Sequence, residues 1–317
     1  MNIKAKILGG AMGALGLCGL GTAALAGSTT PPGERAGIDL ASPLPEGVYF
    51  LNITGVGNWR DGPSNGNSGF DYNVPIIAWA TPWQLLGGRF QVIAAAPEAA
   101  AGYNHLNYTK GGPAALALGN GGYLRGMYNP AIFGQFAWNL GNGFSVSILS
   151  GAYIAISGGD FGNLYNRTTW SSQLALAYHM NGWNATANLI LGIVGNQQGG
   201  DCAITSCTNN NAFNYDLGLT HTFGKWEVGM VGYGSTDFGG YSAGYGSTGI
   251  FHGAYQEQSQ FALGGLVGYN FGPVITQFSV TQDVYKHNYN AYQTQFHSVI
   301  IVPLWNPEVP KAVVAKY

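Results

Sequence analysis

From Glu46 to Trp305 apolar and polar residues alternate in run after run, and the connections between runs are short, then long, then short again. Short polar turns fall at Asn139-Leu140-Gly141-Asn142-Gly143, Asn181-Gly182, Gly224-Lys225 and Gly272-Pro273. Long stretches rich in Gly, Asn, Ser and Tyr lie between them. Successive Cβ atoms of a strand point to opposite faces, so each run has an apolar side and a small or polar side. Tight turns at one rim and large loops at the other are how membrane β-barrels are joined.

The alternation is clearest mid-chain. Trp183, Ala185, Ala187, Leu189, Leu191 and Ile193 share one face, with Asn184, Thr186, Asn188 and Gly192 opposite. Phe213, Tyr215, Leu217, Leu219 and Phe223 alternate with Asn214, Asp216, Gly218, Thr220 and Thr222. Phe261, Leu263, Val267, Tyr269 and Phe271 alternate with Gln260, Ala262, Gly264 and Asn270. The polar side carries Gly, Ala, Asn, Thr and Gln rather than Lys and Glu, which suits a confined wet lumen better than a solvated sandwich face. Aromatics cluster beside the short turns: Trp138 and Phe144, Tyr178 and Trp183, Phe223 and Trp226, Tyr269 and Phe271. Trp and Tyr favour the lipid headgroup level.

Composition agrees. Only 8% of the 317 residues are charged, against roughly 25% in a soluble domain. Met1–Ala26 reads as a secretory signal peptide: Lys4 and Lys6 precede an apolar stretch to Leu25, and Ala24-Leu25-Ala26 fits a cleavage site. Its removal leaves ten Lys/Arg against 14 Asp/Glu, with no basic stripe, so nucleic acid is not an expected partner. Cys18 leaves with the leader. Cys202 and Cys207 remain, close together in a polar loop, and export favours a disulfide between them. No ligand set for a metal or cofactor accompanies them.

The spacing predicts twelve strands over 47–58, 70–81, 85–96, 129–139, 143–156, 169–180, 183–195, 212–223, 225–236, 259–271, 273–284 and 295–305. Each is close to the 9–11 residues of a tilted transmembrane strand. The long connections are 59–69, 97–128, 157–168, 196–211, 237–258 and 285–294. The short ones are near 82–84, 140–142, 181–182, 224 and 272. That alternation places both termini on the short-turn, periplasmic side and the long loops outside. The expectation is an all-β, antiparallel, up-and-down outer-membrane β-barrel over 46–305, with an N-terminal lead segment at 27–45 and a tail at 306–317. The lead segment has no periodicity and is a candidate partial plug.

Four segments carry a resemblance: Pro45-Glu46-Gly47-Val48-Tyr49-Phe50-Leu51, Trp79-Ala80-Thr81-Pro82-Trp83-Gln84-Leu85-Leu86-Gly87-Gly88, Asn181-Gly182-Trp183-Asn184-Ala185-Thr186-Ala187-Asn188 and Phe223-Gly224-Lys225-Trp226-Glu227-Val228-Gly229-Met230-Val231-Gly232-Tyr233. Together they resemble the bacterial outer-membrane family called "MetA-pathway of phenol degradation", which includes sphingosine-induced porin-like proteins. The resemblance implies a transporter-like barrel for hydrophobic or aromatic compounds. Such a barrel has membrane lipid, small hydrophobic solutes and the barrel-assembly machinery as partners. The family ends at its last strand, here near Trp305, whereas this chain continues to Tyr317. Two readings of that tail stand: an assembly signal ending in Tyr317, or an unstructured extension.

By parity the lumen-lining candidates are Arg89, Gln91, Gln135, Gln173, Asn184, Asn188, Asp216, Glu227 and Gln277. Arg89 and Glu227 both lie near short turns and are expected to face each other across the periplasmic mouth, as a charged constriction or as part of a structural network. Pro75 sits mid-strand without a ladder donor and marks a candidate lateral opening. The 97–128 connection is long and apolar, with Tyr103, Leu106, Tyr108, Leu116, Leu118, Tyr123, Leu124 and Met127, and two readings of it stand: a cover over the outer mouth that offers an apolar entry site, or packing against neighbouring loops. His105, His179, His221, His252, His287 and His297 are scattered, and no nucleophile elbow accompanies them, so no catalytic residue is expected. Two functions follow: an uptake channel for small hydrophobic solutes, or a structural or adhesive barrel acting through its outer loops.

Overall fold

The computed structural model describes residues 30–61, 67–104, 123–156, 167–197, 208–242, 259–287 and 291–307. Every regular element among them is a strand: β1 Gly47–Asp61, β2 Asn67–Leu85, β3 Gly88–Ala95, β4 Glu98–Asn104, β5 Tyr123–Met127, β6 Ala131–Gly141, β7 Phe144–Tyr153, β8 Arg167–Met180, β9 Trp183–Gln197, β10 Thr208–Phe223, β11 Trp226–Ser242, β12 Ser259–Asn270, β13 Ile275–His287 and β14 Ala291–Trp305. Neighbours pair antiparallel, and β1 pairs with both β2 and β14, closing the sheet. β3 and β4 continue one another along β2, and β5 and β6 continue one another along β4 and β3. The fourteen segments therefore make twelve strands of a closed outer-membrane barrel.

The burial is that of a soluble protein turned inside out. Trp183, Leu191, Ile193, Leu219, Phe223, Leu263 and Val267 are exposed, while Asn188, Asp216, Thr220 and Gln260 are buried. Apolar residues thus face the surrounding lipid and polar residues face the lumen. Aromatic rings line the short-turn rim in linked groups. Trp79, Trp83, Phe90, Phe136 and Trp138 follow one another at centroid spacings from 4.9 to 6.4 Å. Trp226, Tyr269 and Phe271 continue the belt at 4.7 and 4.6 Å. Such rings suit the headgroup level, where an apolar body and a polar tip are both satisfied.

Three of the short turns are two-residue hairpins of the twisted kind. Leu86-Gly87, Asn142-Gly143 and Asn181-Gly182 all have positive φ at both positions, which matches the right-handed twist of the flanking strands. The turn expected near 82–84 lies instead at 86–87, and β2 runs on to Leu85. Leu86 hides the signal, because a leucine at φ 51° is an unusual occupant of a position that favours Asn or Gly.

The strands also reach further outward than the spacing predicted. β1 continues to Asp61, β13 to His287, and β4 and β5 occupy parts of the expected 97–128 loop. Ala99-Ala100-Ala101 in β4 has no apolar contrast between faces, so the alternation is invisible there. The rest of that connection, 105–122, lies outside the described residues. So do the signal peptide, Cys202 and Cys207, and the tail from 308 onward.

Leu86 is 90% exposed and no packing holds it. Leu86→Asn is expected to stabilise the barrel by about 1 kcal/mol, the scale of the left-handed penalty for an ordinary residue. The midpoint of urea unfolding in lipid vesicles measures it, and an unmoved midpoint would refute the strain.

Candidate functional site

Residues 30–46 lie inside the barrel, and 30–38 are fully buried. Three consecutive turns fold them: Glu34, Ala36 and Ile38 donate backbone N–H bonds to Pro31, Gly33 and Arg35. Glycines permit the close docking. A Cβ on Gly33 would sit 2.5 Å from the Tyr233 ring, and one on Gly37 would sit 2.6 Å from Leu266. Ala36 packs on Val231 and Leu266, and Ala41 on Ala175 and Ala177. Leu44 meets Tyr49, Ala78 and Ala80 on the far side of the lumen.

Five of the sequence-predicted inward residues hold this segment, directly or through one another. Asp216, fully buried on β10, accepts the Gly33 and Arg35 backbone N–H groups, both at 2.9 Å. Asn188 on β9 donates to the carbonyls of Arg35 at 3.0 Å and Ile38 at 3.1 Å. Gln173 on β8 accepts a bond from the Arg35 guanidinium and donates to Asn188. Gln135 on β6 donates to the Leu40 carbonyl at 2.7 Å, joined there by Ser147. Gln91 on β3 reaches Gln135 at 3.4 Å.

The other candidates form a second set nearer the short turns. Asp39 of the segment pairs with His179 Nε2 at 2.8 Å. His179 Nδ1 meets Asn184 Oδ1 at 2.8 Å, and Asn184 donates to Thr220 at 3.3 Å. Thr220 donates to Glu227 at 2.5 Å, and Gln277 donates to the other Glu227 oxygen at 2.9 Å. This chain crosses β8 to β13 without a break. It passes over β12 because Gly268 has no side chain: a Cβ there would lie 3.2 Å from both Glu227 and Gln277. Arg89 instead donates to the Thr81 carbonyl at 3.2 Å. Neutral Thr and Gln groups on neighbouring strands thus reach the Glu227 carboxylate at hydrogen-bonding distance.

Sequence reasoning missed the partners on the segment itself: Thr30, Glu34, Arg35 and Asp39. Thr30 bonds Tyr153 at 2.6 Å, and its carbonyl takes a bond from Asn214. Three charged residues within six positions, in a chain with 8% charge, were the available signal. His179, one of the scattered histidines, links segment and wall. Among the described residues no group of His, Cys, Asp and Glu could hold a metal ion.

Pro75 lies where β2 changes partner from β3 to β4. Its register with β1 is continuous, opposite Asn52. On the other side runs a seam of three prolines in adjacent strands. The carbonyls of Pro75, Pro97 and Pro130 accept N–H bonds from Ala96, Tyr128 and Ile154, at 3.1, 2.8 and 2.7 Å. None of the three prolines can return a donor.

The family described as "Putative MetA-pathway of phenol degradation" matches residues 52–295. The chain belongs to that family. The phenol-degradation family member also shares its fold with solved barrels. The COG4313 outer membrane channel from Pseudomonas putida F1 superposes with a TM-score of 0.64 at 8% identity, covering 83% of this chain and 98% of that one. The beta domain of the Bordetella autotransporter BrkA gives 0.51 at 12% identity, covering 81% and 100%. Among curated proteins none matches this chain. The fold places the phenol-degradation family member in the bacterial outer membrane.

Burial raises the Glu34 carboxyl from its ordinary 4.5 to about 7; Arg35 opposes that rise and Asp216 adds to it. Asp39 is held below its ordinary 3.8: burial disfavours the anion, but the His179 and Ser42 hydrogen bonds outweigh it. Docking therefore binds the Glu34 proton more tightly than the free segment does. On that account docking is strongest below pH 4.5, weakens as pH rises toward 7, and stays weaker above. Asp39 works oppositely, its contribution vanishing as pH falls through its depressed value. Amide exchange over 30–38, corrected for intrinsic rates, is expected to rise between pH 5 and 7, and Glu34→Gln to flatten that rise. Asp216→Ala removes two bonds to a carboxylate, at about 1.5–3 kcal/mol each. It is expected to speed exchange of the Gly33 and Arg35 amides by at least about ten-fold; unchanged exchange would show that Asp216 does not anchor the segment.

Proposed function

We propose that this outer-membrane protein is a channel for uptake of small hydrophobic or aromatic compounds, with residues 27–45 as a partial plug and the proline seam as a lateral exit. The observation that carries the reading is the docked segment. It fills the middle of the lumen and ties itself to the wall through Asp216, Asn188, Gln173 and Gln135. A straight aqueous path for hydrated solutes is thereby narrowed. An apolar solute has a second way out, into the lipid that surrounds the barrel. The seam at Pro75, Pro97 and Pro130 is where the ladder has fewest donors to separate. The family's description, phenol degradation, supports an aromatic solute.

The polar wall fits this role. Neutral Gln and Asn side chains bond the plug's backbone, and each such bond contributes only about 1 kcal/mol. A plug held by several weak bonds can shift without breaking the barrel. Arg89, Glu227, Asn184 and Gln277 line the periplasmic end, and the last three belong to the polar chain that joins the plug to the wall.

The test uses intact cells with a lipopolysaccharide outer leaflet, which resists apolar solutes. Cells producing the protein are expected to admit the aromatic dye N-phenylnaphthylamine faster than cells lacking it, with no matching gain for a disaccharide. No gain for either solute would favour the structural or adhesive barrel. Deleting 30–44 is expected to raise single-channel conductance in planar bilayers; unchanged conductance would remove the plug. Pro97→Val returns one ladder donor, worth about 1 kcal/mol, and is expected to slow dye entry several-fold without changing conductance.

A further inference from the structure

The plug's hydrogen bonds run to β6 through β10, and its apolar contacts add β11, β12 and, through Leu44, β1 and β2. On the wall formed by β13, β14 and β2 the inward side chains are Thr281, Asp283, Gln293, Gln295, His297 and Tyr72. All are at least nine-tenths buried: 1%, 3%, 0%, 1%, 3% and 6% exposed. Yet among the described residues Asp283 Oδ1, both amide atoms of Gln293 and Gln295, both ring nitrogens of His297 and the Tyr72 hydroxyl have no hydrogen-bond partner, while Thr281 meets the Tyr233 hydroxyl at the edge of the group. Native proteins pair such groups, so a run of them on one surface points to a ligand.

The six form one patch. Gln295 stands opposite Thr281, and the Gln293 backbone N–H bonds the second oxygen of Asp283 at 2.9 Å. His297 and Tyr72 meet across β1, with ring centroids 6.0 Å apart. They meet there because Gly55 lies between them in register, and a Cβ on Gly55 would sit 2.3 Å from the Tyr72 ring. Phe70 stacks beside Tyr72 at 6.4 Å, giving the patch an aromatic border.

The chemistry is specific. Glutamine amides donate and accept, the imidazole does both in its neutral form, and the Asp283 oxygen accepts. A hydroxyl also donates and accepts. It can give its proton to Asp283 while taking a bond from a glutamine N–H. A carboxylate has no proton to give to the Asp283 oxygen. A plain hydrocarbon leaves every group unpaired, which discriminates strongly in a buried polar site.

We infer that this patch is a binding site for the hydroxyl of a small uncharged amphiphile, with the apolar body of the solute against Tyr72 and Phe70. The inference rests on the channel reading and adds a selectivity to it: alcohols over hydrocarbons and over carboxylates. The site lies inside the barrel wall beside the plug, and Glu34 of the plug acts electrostatically on Tyr72.

Crystals of the full-length mature protein soaked separately in 4-bromobenzyl alcohol, 4-bromotoluene and 4-bromobenzoate test it through the anomalous signal of bromine. A bromine peak beside Tyr72 for the alcohol alone is the expected result. No peak in the patch, or equal peaks for alcohol and bromotoluene, overturns the inference, and so does water alone in the patch. Gln295→Leu is expected to abolish the alcohol peak. In cells the same substitution is expected to slow benzyl alcohol entry about ten-fold, the loss of one or two such bonds, while toluene entry is unchanged. If wild-type cells admit neither solute but the bromine peak is present, the channel reading fails and the site stands. If both enter and the substitution changes neither, the site fails and the channel reading stands.

Discussion

Everything in this molecule depends on the pairing of β1 with β14. A membrane offers the backbone no water, so each N–H and C=O must find a partner within the protein. An open twelve-stranded sheet would expose two edges to lipid. The register from Val48 opposite Trp305 to Asp61 opposite Ala291 removes both. Once the sheet is closed, each strand has one face toward lipid and one toward a confined interior. The side-chain alternation then becomes a separation of chemistries, with Trp, Leu and Phe outside and Gln, Asn and Asp inside.

Closure also creates the problem that the lumen solves. Polar side chains crowded in a narrow interior need partners as strictly as the backbone does. On one wall the partners are the backbone groups of the N-terminal segment, accepted by Asp216 and donated to by Asn188 and Gln135. Near the short turns the wall satisfies itself, through the chain from Asp39 to Gln277. The groups still without a protein partner are most closely spaced on β13 and β14. The docked segment, rather than any single charged residue, is what the functional reading rests on.

Much of this was legible in the sequence because a strand writes its geometry into alternate residues. Trp183 to Ile193 and Phe213 to Phe223 could be assigned faces from parity alone, and Gln91, Gln135, Gln173, Asn188 and Asp216 all point inward. Parity fails where contrast fails. Ala99 to Ala101 conceal β4, and Leu86 conceals a turn that Asn would have announced. The docking of the segment was legible only as its lack of periodicity. Its decisive contacts are made by the backbone of Gly33, Arg35, Ile38 and Leu40, and a backbone group is the same whatever side chain it carries. The unpaired patch was hidden for another reason. Gln293 falls in the stretch 285–294 that the spacing assigns to a loop, and the other five lie in predicted strands, where parity gives a face but not the presence or absence of a partner.

The bond from Gly33 to Asp216 joins positions 183 residues apart. The lead segment thus has no seat until β10, two-thirds of the way along the chain, is in place. Because the segment leads straight into β1, whose pairing with β14 seals the wall, the seat and the seam are fixed through one stretch of chain. The seat is in this sense a late contact: its loop is among the longest the chain must close, and the strands that bind it have to be assembled before it has anything to hold.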